Sequence, residues 1–425
     1  MNIFDQLLAD NQIPKFVRVR HEMDHSHIDD IEGAVAQAMR REGTLDRIKP
    51  GDSVCITAGS RDVANIARII RAICDQVKSV GAHPFIIPAM GSHAGAKAEG
   101  QRGIIEGYGV TEEAMGAPIR ASMDTEVIAH SKSGLEIHLD KFANAADFLI
   151  PVGRIKAHTD FRGEVESGIC KMLVIGMGKQ HGAYQCHKLG FKSMAANVKE
   201  FAGAIIEKKP NMFAIGLIEN AYHQTCRIEA IPAGRILEEE PPLLEYAKSR
   251  MAKVPFDQAD ILFVDETGKD ISGAGMDPNV TGRSPVLGIS RPFFQRIAVF
   301  DLTDKSHGNF GGLGSADVTT QRLYRKIDFE QTYPNGITAA EPLAVRLPAV
   351  MPSDRTAMQF ALRTATDCDW EKGPRIVWLK NTLSLSEFYI SEALIPDAEA
   401  PDNVTIVSEP MEVIFDEEGN VKELR

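Results

Sequence analysis

One pattern recurs through the first half of this chain. A short apolar run ends in a turn of small residues, and a stretch with apolar positions at helical spacing follows. "DSVCITAGSR" (52–61) ends in such a turn, and "VANIARIIRAICDQVKSVGA" (63–82) continues at helical period. "HPFIIPAMGSHAGA" (83–96) repeats the run and the turn, and "AEGQRGIIEGYG" (98–109) starts the next helix. "ADFLIPVGRIKAH" (146–158) is a third run. Strand, turn, helix in repetition predicts a mostly parallel sheet with helices on its faces. Ligands of such sheets bind outside the carboxyl ends of the strands. The turns after these runs therefore place Arg61, His93, Lys156 and His158 along one crevice.

With 425 residues, the chain is too long for one ordinary core. The first domain continues through the helical "SMAANVKEFAGAIIEKKP" and the strand "FAIGLIEN", and "EEEPPLLEYAKSRMAKVPFDQ" reads as an acidic connector. A second α/β pattern opens at "ADILFVDETGKDISGAG" and runs through "RIAVFDLTD", a helical "SADVTTQRLYRKI", a helical "SDRTAMQFALRTA" and the strand "PRIVWLKN". The expected fold class is α/β, with two α/β domains of mostly parallel sheets, residues 1–253 and 254–425. The final "VTIVSEPMEVIFDEEGNVKELR" predicts a strand pair with a charged tail.

A net charge of −12 argues against nucleic acid or a membrane surface as partner. None of the six cysteines forms a CxxC pair, which argues against a zinc ribbon and for reduced thiols in a cytoplasmic protein. "MNIFDQLLADNQIPKF" has no basic start and no long apolar run, so it does not read as a signal peptide.

Three segments carry chemistry. His93 in "GSHAGA" is an acid/base candidate or a solvated loop histidine. "RIKAHTDFRGEVESG" gathers Arg154, Lys156, His158, Asp160 and Arg162, either as a polar loop or as an anion-binding and acid/base segment. "GICKMLVIGMGKQHG" sets Lys171 in an apolar, glycine-flanked run. It lacks the GxxxxGK[ST] order of a phosphate loop. Lys171 is either a structural lysine bonded to carbonyls or a nucleophile with a lowered pKa.

In order and spacing these segments resemble the nickel-pincer lactate racemase family, also called LarA-like, most closely from Ala58 to Gly190. The resemblance implies two α/β domains with a cleft between them. It implies a nickel-pincer nucleotide (nickel pyridinium-3-thioamide-5-thiocarboxylic acid mononucleotide) bound covalently to a lysine, with a histidine on the metal. Two further histidines then serve as acid and base while hydride moves between substrate and the pyridinium ring. The Gly-x-His turn of the family matches "GSH", which implies an acid/base role for His93. Its partner histidine matches His158 in "IKAH", and the cofactor-holding Ser-Gly-Gly-x-Lys matches "SGICK", with Lys171 as the attachment point. His187 fits the spacing of the nickel ligand better than His181, and Arg61 corresponds to the arginine that handles the anionic substrate.

Two departures bear on the substrate. The family's Asp-x-x-Arg is here Ala58-Gly59-Ser60-Arg61, without the aspartate. Its Tyr-Gln-x-x-Lys group after an Asp-Ile pair has no counterpart, because Asp270-Ile271 is followed by "SGAGMDPNVTGR". Small residues at 273–275 open that wall, and Asp270, Asp277, Asn279 and Arg283 are then candidates to meet a larger, hydroxylated acid. The expected activity is a racemase or epimerase of a 2-hydroxy acid larger than lactate, such as a sugar acid. The alternatives are an anion- or nucleotide-binding protein of the same fold without nickel chemistry, and a metal-independent sugar-acid hydro-lyase. The expected partner is the small hydroxy acid itself, with no nucleic acid and no membrane, and homo-oligomer formation stays open.

Overall fold

The computed structural model describes all residues except 1, 2, 61, 285, 287, 288, 290 and 340. The chain forms two compact units, Asp24–Met251 and a second made of Met1–Met23 with Ala252–Arg425. The sequence reading placed the first 23 residues with the N-terminal domain. They pack otherwise because β1 (Phe16–His21) is hydrogen-bonded into the sheet of the second unit.

The unit Asp24–Met251 opens with the helix α1 (Ile31–Ala38) and the strand β2 (Ser53–Ala58). β2 is apolar except at Ser53 and Thr57, and buried from Val54 onward, as expected of a central parallel strand covered on both faces. Its side chains alternate between two cores. Cys55 enters one with Phe85 and Leu149, and Val54 and Ile56 enter the other with Ile86 and Phe148. The hydroxyl of Thr57 is satisfied by the backbone of Val152. Helix α2 (Ile66–Ser79) buries Ile66, Ile69, Ile70, Ile73 and Val77, one continuous stripe. β3 (His83–Pro88) pairs with β2 in parallel, and α3 (Ala98–Gly107) follows. The hairpin β4 (Thr125–His130) and β5 (Glu136–Asp140) comes next, then β6 (Phe148–Ile150) on the other side of β2. β7 (Val152–Arg154) pairs in parallel with β8 (Phe213–Glu219), to which β9 (Thr225–Pro232) is antiparallel. Between β7 and β8 lie α4 (Lys179–His187) and α5 (Met194–Lys208).

The acidic stretch read as a connector is α6 (Ile236–Arg250). It is part of this unit because Leu243, Leu244 and Ala247 are buried in its core, and Glu240 is buried with them. Truncating such a core leucine to alanine costs about 2–5 kcal/mol.

The second unit is built on one eight-stranded sheet. Its parallel strands are β10 (Gln258–Thr267), β11 (Phe293–Leu302), β12 (Val318–Thr320), β13 (Ala349–Met351) and β14 (Ile376–Leu379). The antiparallel strands β15 (Glu387–Ser391), β1 and β16 (Val404–Ile406) complete it in the order 13-12-11-10-14-15-1-16. "SADVTTQRLYRKI" begins as a strand rather than a helix, since Val318, Thr319 and Thr320 are β-branched and fully buried beside β11. Thr320 then caps the short helix Gln321–Arg325. Helix α7 (Asp354–Thr364) starts at a capping box between Ser353 and Thr356. The C-terminal strand pair is Val413–Phe415 with Val421–Leu424. No helix among the described residues is long and apolar enough to cross a membrane.

Candidate active site

Each expected side chain follows a strand end of the unit Asp24–Met251. β2 ends at Ala58 and hands over to Gly59 and Ser60, and Arg61 lies outside the described residues. β3 ends at Pro88, and the turn to His93 follows. Gln101 of α3 fixes that turn by donating to the carbonyls of Gly91 (2.8 Å) and His93 (3.3 Å). The ring of His93 is held through Nδ1, 2.5 Å from the Ser60 hydroxyl, and the Ser60 carbonyl accepts the Tyr108 hydroxyl at 2.9 Å.

β7 leads into a loop closed by an antiparallel bridge between Lys156 and Ser167. His158, Asp160 and Arg162 lie on this loop. Its anchor is Glu166, a fully buried carboxylate that accepts the N–H of His158 at 2.7 Å and pairs with Lys248 of α6 at 3.0 Å. Arg162 donates to the His158 carbonyl and lies 3.4 Å from Glu166, and Arg154 pairs with Glu219 at 2.6 Å. These two arginines brace the loop, where the sequence reading had offered them to an anion.

Gly168 then begins the segment that carries Lys171. A Cβ at Gly168 would lie 2.0 Å from Oε1 of Glu240, so only glycine fits beside that buried carboxylate. Glu240 accepts the N–H of Cys170 at 2.9 Å and thereby caps the turn Ile169–Lys171. Burial raises the pKa of Glu240, against the lowering effect of hydrogen bonds from Cys170 and Ile169. A π turn, Met172–Gly176, continues from Lys171.

The expected residues converge here. Nζ of Lys171 lies 2.5 Å from Nε2 of His158. Nδ1 of the same ring accepts the N–H of Asp160 at 2.9 Å. A backbone N–H cannot reverse its role, so the neutral imidazole carries its proton on Nε2 and Lys171 must offer a lone pair. The geometry therefore makes Lys171 the acceptor in this contact. The His158 ring stacks on Phe161 with centroids 4.2 Å apart, and Nζ of Lys171 lies 6.0 Å from the same aromatic ring. The turns after β2 and β3 abut the π turn: a Cβ at Gly59 would lie 3.3 Å from Cε of Met172, and one at Gly91 3.1 Å from Cγ2 of Ile175.

His187 closes α4. Its Nδ1 donates to the Ala183 carbonyl at 2.6 Å, which leaves Nε2 as the acceptor nitrogen. Burial lowers its pKa, and the Ala183 carbonyl opposes this. A neutral imidazole oriented through Nδ1–H is the form that ligates metals. His181 is exposed, and its Nδ1 faces Thr125 Oγ1 at 3.3 Å. Among the described residues no three His, Cys, Asp or Glu side chains form a metal site of their own.

In the second unit the residues expected to meet substrate serve their own loops. Asp270 accepts the Thr303 hydroxyl at 2.5 Å. Asp277 caps the turn at Asn279, and Arg283 binds Asp317 at 2.5 Å together with the carbonyls of Phe294 and Gln295.

Residues 4–198 match the model of the lactate racemase N-terminal domain. This match, over a little under half of the chain, supports a lactate racemase-like family member. Its fold is similar to that of the lactate racemase apoprotein from Thermoanaerobacterium thermosaccharolyticum, with a TM-score of 0.52 at 15% identity over 86% of this chain and 93% of that one. A crystal structure of a Thermotoga maritima protein matches more loosely, with a TM-score of 0.44 at 10% identity over 83% and 87%. No curated protein sequence matches the chain significantly. The match supports a racemase-type function at the level of the family, and this chain has Ala58 where the family's Asp-x-x-Arg has its aspartate.

Proposed function

We propose that the protein is a racemase or epimerase of a 2-hydroxy acid larger than lactate, such as a sugar acid, and that it works with a nickel-pincer nucleotide. The observation that carries this reading is the contact between Lys171 and His158, because covalent attachment to lysine requires an amine with a lone pair. Lys171 would hold the group covalently, and Nε2 of His187 would ligate its nickel. Among the described residues no three His, Cys, Asp or Glu side chains form a metal site, so the remaining donors would come from the nucleotide itself, and sulfur with imidazole suits a soft ion. When bound, that group supplies a hydride acceptor for the substrate carbon.

The chain's own residues handle the protons and the position of the acid. The Ser60 hydroxyl can accept a hydrogen bond from Nδ1–H of His93, which leaves Nε2 of that ring to take the substrate hydroxyl proton. Nε2 of His158 carries a proton in the geometry described, so one ring begins as base and the other as acid. Exchange of these roles on opposite faces of a planar intermediate gives racemisation. Arg61 would bind the carboxylate. The preference for a larger acid rests on the absence from this chain of the family's Tyr-Gln-x-x-Lys group after Asp270-Ile271.

The test is the intact mass and nickel content of protein matured with the cofactor pathway, alongside NMR analysis of products from a panel of hydroxy acids. The reading requires an adduct on Lys171, bound nickel and an epimeric product. An active chain with an unmodified Lys171, or a keto acid formed by dehydration, would overturn it.

A further inference from the structure

Lys179 combines two features that are each rare in a lysine. Its side chain is fully buried, and its backbone stands at φ +54°, in the left-handed region that residues with a Cβ seldom occupy. Burial pushes its pKa down, against the attraction of Asp140. A residue held in an unfavourable conformation with a buried charge persists only where its surroundings over-determine it.

Those surroundings are the supports of the site. Nζ of Lys179 lies 3.2 Å from Oδ2 of Asp140 and donates to the carbonyl of Pro88. Pro88 is the last residue of β3, from which the turn to His93 departs. Asp140 ends β5, accepts the N–H groups of Phe142 and Ala143, and donates its own N–H to the Met177 carbonyl at 2.7 Å. Lys179 itself opens α4, whose last residue is His187, and it marks the break after the segment that carries Lys171.

The break folds the chain back sharply. In a straight helix residues 174 and 182 would be about 12 Å apart. Here a Cβ at Gly182 would lie 3.0 Å from the Val174 carbonyl oxygen, and one at Gly178 would lie 2.1 Å from the same atom. Lys171 and His187 therefore belong to two arms of a bend whose corner is Lys179. An apolar residue there would leave Asp140 and the Pro88 carbonyl without their shared donor.

We infer that Lys179 is a positioning residue whose ammonium, held between Asp140 and Pro88 at the corner of the bend, sets the placement of His93 and His187 about Lys171. The roles of those three residues rest on the function proposed above, but the placement itself does not. A test that uses neither substrate nor nucleotide keeps the two apart.

The experiment compares Lys179→Met with the double variant Lys179→Met/Asp140→Asn in the full chain. Thermal melting is read beside carbethoxylation of histidines by diethyl pyrocarbonate, mapped by peptide mass, with the exposed His83 and His130 as internal standards. The single variant leaves Asp140 buried and unpaired, so it should melt well below the wild type. The double variant removes both charges and should recover most of that loss, as replaced buried pairs do. Its His187, partly buried in the wild type, should nevertheless label several-fold faster than in the wild type relative to the standards, because the link to Pro88 is still missing. If the single variant does not fold, the double variant alone decides. Wild-type labelling of His187 in the double variant would overturn the inference and leave Lys179 a merely structural lysine.

Discussion

Nζ of Lys171 and Nε2 of His158 are 2.5 Å apart, while the other nitrogen of that ring already accepts a backbone N–H. The proton of the imidazole is thereby assigned, and the lysine is left as the acceptor. A lysine in water near neutral pH is almost entirely an ammonium, with a pKa of about 10.4. Lys171 should therefore react with an acyl thioester or another amine reagent at pH 7 ahead of the other lysines. His158→Ala should slow that labelling by about tenfold or more, and Lys171→Arg should abolish it, since arginine stays protonated. Intact mass and peptide mapping give the readout, and equal labelling of Lys171 in wild type and His158→Ala would refute the assignment.

Ser60 is expected to set the tautomer of His93. In protein labelled with 15N on histidine, the ring of His93 should show one dominant tautomer with Nε2 unprotonated. Ser60→Ala should convert it to an exchanging mixture and lower turnover of the true substrate by about one to two orders of magnitude. Unchanged ring shifts in the variant would mean that the hydroxyl does not hold the ring.

Glu240 gives a prediction with a definite sign. Its pKa is raised in the folded chain above the ordinary value of 4.5, chiefly by burial. The folded state then binds the proton more readily than the unfolded one, so stability falls as pH rises from 4.5 through the folded value. Its Oε1 has no hydrogen-bond partner among the described residues, so an amide at that place loses no bond. Glu240→Gln should match or exceed the wild type in urea unfolding at pH 7–8, with the difference vanishing towards pH 4. A variant weaker than wild type at pH 8 would show that Glu240 is needed as a carboxylate.

Asp265 offers an optical counterpart in the second unit. Burial pushes its carboxyl up to about 7, opposed by the Nε1–H of Trp378, which donates to it at 2.6 Å. The nearby Asp354 and Glu266 push it further upward. Its contribution to stability is complete below the ordinary 3.8 and is lost as pH rises through about 7. Trp378 fluorescence, read in a Trp370→Phe background, should titrate with a midpoint near 7 and become flat in Asp265→Asn. The same substitution should stabilise the chain above pH 7 by about 1–3 kcal/mol. A flat wild-type titration would place the carboxyl in its ordinary range.

The alternation of apolar runs and helical stretches made the parallel sheets legible, because β2, β3 and β10 are buried on both faces and read as near-continuous apolar segments. Strand-end turns likewise pointed to His93 and His158. The contact of His158 with Lys171 was not legible, since it depends on the bridge from Lys156 to Ser167 and on Glu166, whose partner Lys248 is remote in sequence. Lys179 shares with Lys171 an apolar, glycine-flanked setting. Composition alone cannot say which of the two points inward, and Lys179 is the one that is fully enclosed. Val318 to Thr320 read as helical because the residues after them are, although three β-branched side chains in a row favour a strand. Residues 1–23 were drawn with the first domain because the pairing of β1 across hundreds of residues leaves no local trace.

That pairing sets an order of events during synthesis. β1 lies between β15 and β16, with Phe16 opposite Ser391 and Val19 opposite Ile406. β1 must stay unpaired while the whole of Asp24–Met251, an insertion between β1 and the rest of its sheet, is made. The sheet closes around β1 only after β15 and β16 have emerged. Long-range closure of this kind is slow, and an unpaired strand is exposed to misassembly while it waits. Arg18 and Arg20 alternate with Val17 and Val19 along that strand, and charged side chains of this kind discourage an unpaired strand from pairing elsewhere.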